Sequence, residues 1–141
     1  MSDSRFEGRW KLISHEFTTS DGRVFYPWGD DPVGEVIFDG NGYFSAQIMR
    51  RDRLMFSSDR PSDEEVRSAY GGYMAYFGRA EIIPEKNMLV NHVEGALNPA
   101  WVGGKQIRYY EFSGDRMTLR TDPIGKGNVT VTGVLVWERC G

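Results

Sequence analysis

Cysteine is almost missing from the chain: Cys140 is the only one, so no internal disulfide can form. Histidine is nearly as scarce. His15 and His92 lie far apart, with no Cys/His cluster and no H-x-x-x-H spacing, so neither a zinc site nor any other metal site is expected. No apolar run approaches the length that crosses a bilayer, and Met1-Ser2-Asp3-Ser4-Arg5 lacks a signal-peptide core. Contact with membranes is therefore not expected, and the expected location is cytoplasmic. An excess of positive charge is absent too. Seventeen Lys and Arg stand against twenty Asp and Glu, a net charge of -3, which argues against a general nucleic-acid binder. Gly103-Gly104-Lys105 lacks the rest of a phosphate loop, and no G-x-S-x-G occurs. Hydrolase and NTPase templates fail on these grounds, and no cofactor is expected.

What the chain does have is aromatic and strand-forming. Aromatics reach 13%, with seventeen Gly to supply turns. At 141 residues it fits one domain spanning 1–141, whose core can bury roughly 68–70% of the unfolded surface. Strand-like runs recur with turn signals between them. The first is 8–17. Three hairpins follow: 34–38 with 43–49, 79–83 with 88–94, and 106–112 with 116–121. A last strand covers 129–137. Asp39-Gly40-Asn41-Gly42 supplies the positive φ of a tight turn. The total is about eight strands, the number whose closed antiparallel barrel just holds one small ligand. One helix is inserted between residues 62 and 77. Ser62-Asp63-Glu64-Glu65 reads as a capping box, and Val66, Ala69, Tyr70, Tyr73 and Phe77 fall on one stripe. This helix is expected to cover an opening of the barrel.

Gly8-Arg9-Trp10 resembles the G-x-W signature of lipocalins and other calycins, and Trp137-Glu138-Arg139 matches the strand end that supplies an Arg to pack across that Trp. Longer stretches resemble the bacterial and fungal lipocalin-like domain family: 26–34 (YPWGDDPVG), 42–50 (GYFSAQIMR), 73–78 (YMAYFG), and 92–95 (HVEG) followed by 98–103 (NPAWVG). The resemblance covers nearly the whole chain. It implies an all-β fold, an antiparallel calycin-type β-barrel with an internal cavity, in a family of binding proteins and scattered natural-product enzymes. Two departures stand out. The helix lies between strands rather than after the last one. Asn91 also occupies the position where the family resemblance implies a second histidine, which weakens paired-histidine chemistry.

Several side chains could serve an interior site. Gln106, Arg108 and Tyr110 share one strand face, while Ile107 and Tyr109 share the other. If the first face points inward, Arg108 needs a partner, and a ligand carboxylate or enolate would serve. An outer, solvated Arg108 is equally compatible with the alternation. On the neighbouring hairpin Asn91 and His92 point to opposite faces, and either could be inside. Trp28 and Trp101 sit in loops, where they would rim a pocket or plug the barrel end. Gln47 and Tyr73, within the resembling stretches, complete the expected ligand contacts, although packing is the simpler role for Tyr73. Two functions share this pocket. One is a carrier or binder of a small, largely apolar molecule, polyketide-like or aromatic. The other is a cofactor-free isomerase or cyclase acting on a natural-product intermediate, with Arg108 and His92 as catalytic groups. A filled, purely structural core is the third reading, and the sequence is compatible with a homodimer.

Overall fold

The computed structural model describes residues 3–141. Its strands are β1 (Gly8–Thr19), β2 (Val24–Phe25), β3 (Val33–Phe38), β4 (Tyr43–Met49), β5 (Tyr73–Ile83), β6 (Met88–Ala96), β7 (Lys105–Ser113), β8 (Arg116–Arg120), β9 (Ile124–Lys126) and β10 (Val129–Arg139). The helix α1 (Asp63–Gly71) lies between β4 and β5. The sheet order is β2-β1-β3-β4-β5-β6-β7-β8-β10-β9, every pairing is antiparallel, and β1 also pairs with β10. Eight strands therefore close into a barrel, with the short β2 and β9 as appendages. No helix among the described residues is long and apolar enough to cross a membrane.

Turn chemistry sorts the connections between two ends. Short links close one end, where the Asp39 carboxylate accepts from the backbone N–H groups of Asn41 and Tyr43, both at 2.9 Å, and Gly42 takes φ 90°. A left-handed Asn87 at φ 50° and Gly114 at φ 59° make the other two tight turns there. All the long connections (20–32, 50–72, 97–104 and 121–128) gather at the other end. That asymmetry puts every long connection around one end of the barrel.

The closed end is plugged by aromatics. Trp10 is fully buried and donates from Nε1 to the Phe6 carbonyl at 2.8 Å. Phe6 in turn meets Phe38, Tyr110 and Phe112 edge-on, with ring centroids 5.3, 5.0 and 5.0 Å apart. The Arg139 guanidinium lies 4.2 Å from the Trp10 ring centroid. It also donates to the carbonyls of Glu7, at 2.7 Å, and Arg5. The stack is worth about 0.5–2 kcal/mol. Arg139→Ala is expected to lower the thermal midpoint and to leave affinity for any interior ligand unchanged, because the cavity lies at the opposite end. Equal midpoints for variant and parent would contradict this.

The helix is shorter than its periodicity suggests and is placed differently. The capping box forms, with Ser62 Oγ accepting from Glu65 N–H at 3.2 Å and Ser62 N–H donating to Glu65 Oε1 at 2.8 Å. The helix then ends at Gly71. A Cβ on Gly72 would come within 2.6 Å of the Arg53 side chain, so only glycine admits the crossing of Arg53 there. Tyr73 to Phe77 extend instead as β5, paired residue by residue with β4 from Met49↔Tyr73 to Ser45↔Phe77. Non-local ladder bonds override the local helical period. The expected apolar stripe is not buried: Val66, Tyr70 and Phe77 are about half exposed. The helix is held by polar ties instead. Glu65 accepts from Ser57 N–H at 2.9 Å, and Ser68 Oγ accepts from Leu54 N–H at 2.8 Å.

Candidate functional site

Toward the end with the long connections the barrel contains a cavity of about 590 Å³, bordered by strands β1, β5, β7 and β10 and by the 121–124 segment. No residue of α1 is among its lining. Most of the wall is apolar: Phe17, Met74, Ile107, Ile124, Val131 and Leu135.

Arg108 is the strongest polar feature of this wall. Its strand carries Tyr110, 6% exposed, and Phe112 into the core cluster, and alternation from them places Arg108 and Gln106 on the inward face. Leu89 and Asn91, opposite Arg108 and Gln106 in the β6–β7 register, are buried on the same side. The guanidinium donates to the Ile107 carbonyl at 2.8 Å and to Gln106 Oε1 at 3.1 Å. Among the described residues no carboxylate pairs with it. The one carboxylate bordering the cavity, Asp122, stands beside Tyr109, whose phenol it pushes up.

His15 and Tyr76 also line the cavity and feel the Arg108 charge, while Asn91, opposite Gln106 on β6, is buried outside the lining. His15 is buried, and its Nδ1 has no partner. Burial, then the charge of Arg108, pulls its pKa down to about 4, so the imidazole is neutral at physiological pH. Tyr76 is buried on β5, and burial pushes its phenol up, against smaller opposing effects from Arg108 and Asn91. Asn91, 4% exposed, leaves Oδ1 without a partner. The arrangement is a fixed cation beside neutral groups with unused hydrogen-bonding capacity, in an apolar chamber. That combination suits one anionic oxygen pair on an apolar molecule.

A model of the lipocalin-like domain matches residues 7–140. The chain belongs to the lipocalin-like domain family. A solved structure of a lipocalin-like protein from Bacteroides uniformis is similar in fold, with a TM-score of 0.51 at 16% identity, covering 96% of this chain and 99% of that one. A comparison with curated proteins finds no match.

Within this lipocalin-like barrel the residues singled out from the sequence separate into groups. Arg108 lines the cavity, whereas Asn91 is buried on the same side of the sheet without bordering it. Trp101 packs against the core cluster, its ring meeting Tyr76 edge-on with centroids 5.6 Å apart. Trp28 is half-buried against the core. Neither tryptophan borders the cavity. Tyr110 lies on the Arg108 face but toward the closed end, among Phe6 and Phe112. Three others stand on the outer wall. His92 bonds the Glu81 carboxylate at 2.8 Å, which holds that carboxylate below its usual range. Tyr73 donates its hydroxyl to Gln47 Oε1, under an Arg53 guanidinium 5.2 Å from its ring, facing a shallow external groove.

His15 and Tyr76 line the site but were missed by sequence reasoning, and for His15 the reason is specific. Strict alternation from Trp10 and Leu12 would send Ser14 and Glu16 inward and His15 outward. The register with β10 shifts between Leu12 and Ser14, so Ile13 is an extra residue and the parity reverses beyond it. His15 and Phe17 then join the inner face.

Proposed function

We propose that this barrel binds a small, largely apolar molecule bearing one anionic group, with Arg108 as its anchor. The observation that carries this reading is an inward guanidinium without a carboxylate partner, facing an apolar cavity of about 590 Å³. That volume lies within the roughly 300–1,000 Å³ of ordinary small-molecule sites. Arg108 is partly buried and bonded only to neutral oxygens, so a ligand carboxylate or enolate would supply the opposite charge it lacks.

The test uses 1-naphthoate, an apolar aromatic acid, followed by quenching of intrinsic tryptophan fluorescence. Losing a charged hydrogen bond costs about 1.5–3 kcal/mol, so Arg108→Met is expected to weaken binding by roughly ten- to a hundred-fold. Unchanged affinity in a folded variant would overturn the anchor role.

The alternative of a cofactor-free isomerase or cyclase would need a base beside the cation. His15 is the imidazole in that position, but with a pKa of about 4 it is a weak proton acceptor at neutral pH. His92, turned outward and bound to Glu81, is far from that role. Both observations favour binding over catalysis.

A further inference from the structure

We propose that His15 is the second anchor of the cavity, donating a hydrogen bond from β1 to a ligand carboxylate that Arg108 holds from β7. The proposal deepens the binding reading above, and narrows the ligand to an apolar monocarboxylic acid. In the barrel order β1 and β7 are separated by β10 and β8, so the two side chains reach the cavity from different walls.

Three features point the same way. His15 is only 8% exposed and borders the cavity, and Nδ1 has no partner, a state that buried polar groups rarely keep without a reason. A half-turn of the ring about Cβ–Cγ presents one nitrogen or the other to the cavity. The bulge at Ile13 is what turns His15 inward, and bulges beside sites commonly re-aim a side chain. Among the described residues no carboxylate forms an ion pair with His15 or Arg108. Around the imidazole stand Phe17, edge-on with centroids 5.4 Å apart, Leu135 on β10, Tyr76 on β5, and Arg108 and Lys105 on β7. Asp122 borders the same space from beside Tyr109.

A consequence follows for protons. In the empty cavity, burial and Arg108 both disfavour imidazolium. A carboxylate placed between the two side chains neutralises Arg108 and meets the imidazole with negative charge, so the bound complex favours a charged His15. Acids should therefore bind with proton uptake below neutral pH, and neutral analogues of the same shape should bind without it.

The chain's two histidines make this directly visible by NMR. Imidazole signals would be followed from pH 7.5 to 4.5 in the free protein, with saturating 1-naphthoate, and with 1-naphthalenemethanol. The His92→Gln variant assigns the two signals. The expected result is that naphthoate raises the His15 pKa by about one unit or more, and that the alcohol leaves it unmoved. His15→Leu should weaken naphthoate by roughly tenfold and change the affinity for the alcohol little. Naphthoate binding that depends on Arg108 but leaves the His15 titration unchanged would overturn this proposal and leave the binding reading intact. Failure of both probes to bind would overturn both.

Discussion

Replacing Trp10 with alanine is expected to destabilise the protein by about 3–5 kcal/mol, measured by urea unfolding at neutral pH. The ring is fully buried, and it carries two obligations besides packing. Its Nε1 satisfies the Phe6 carbonyl at 2.8 Å, and its face receives the Arg139 guanidinium at 4.2 Å. Alanine would leave a cavity under Phe6 and Phe112, unpair the Phe6 carbonyl and remove the ring on which Arg139 stacks. The two effects separate in a double-mutant cycle. Arg139→Ala should cost less in the Trp10→Ala background than in the parent, by about 0.5–2 kcal/mol, because the stack is already gone. The remaining cost of losing Arg139 would report its bonds to the Glu7 and Arg5 carbonyls. A Trp10→Ala cost below about 1 kcal/mol would mean that the N-terminal plug closes the barrel without it.

The parts of the fold legible in the sequence were those specified locally. Asp39-Gly40-Asn41-Gly42 names its own turn, because the Asp39 carboxylate and a positive-φ glycine need nothing from the rest of the chain. The Gly8-Arg9-Trp10 and Arg139 pair was legible by resemblance, and the stack is present. The end of the helix was harder to read. Tyr73 and Phe77 continue the period of Val66 and Tyr70, and only the non-local pairing with β4, from Met49↔Tyr73 to Ser45↔Phe77, makes them strand. The site was legible only by halves. Arg108 could be placed on a face with Gln106 and Tyr110, but both faces of β7 mix polar and aromatic groups, so the inward side is decided by the closed-end cluster that takes Tyr110 and Phe112. His15 was hidden by one extra residue. A bulge leaves no compositional mark at Ile13, yet it reverses the face of every side chain after it on β1.

That reversal makes stability depend on pH in a defined window. Burial and Arg108 lower the His15 pKa from 6.5 to about 4. Between those values the unfolded chain holds a proton there that the folded protein refuses, so folding stability falls as pH drops from 6.5 and levels off below about 4. At about 1.4 kcal/mol per pH unit, the full window amounts to about 3 kcal/mol. The carboxylates with lowered pKa values, Asp21 and Glu65 among them, act lower down. Their ordinary values are 3.8 and 4.5, and the stability they contribute is lost only as pH falls below that range. Comparing pH 7 with pH 5 in the parent and in a variant without His15 therefore isolates that histidine. The parent is expected to lose about 2 kcal/mol more than His15→Leu over that interval, measured by urea unfolding. Saturating 1-naphthoate should narrow the difference, since a carboxylate beside His15 lets the folded protein accept the proton. Equal losses in parent and variant would mean that His15 takes its proton inside the barrel without cost, which a buried imidazole beside Arg108 should not do.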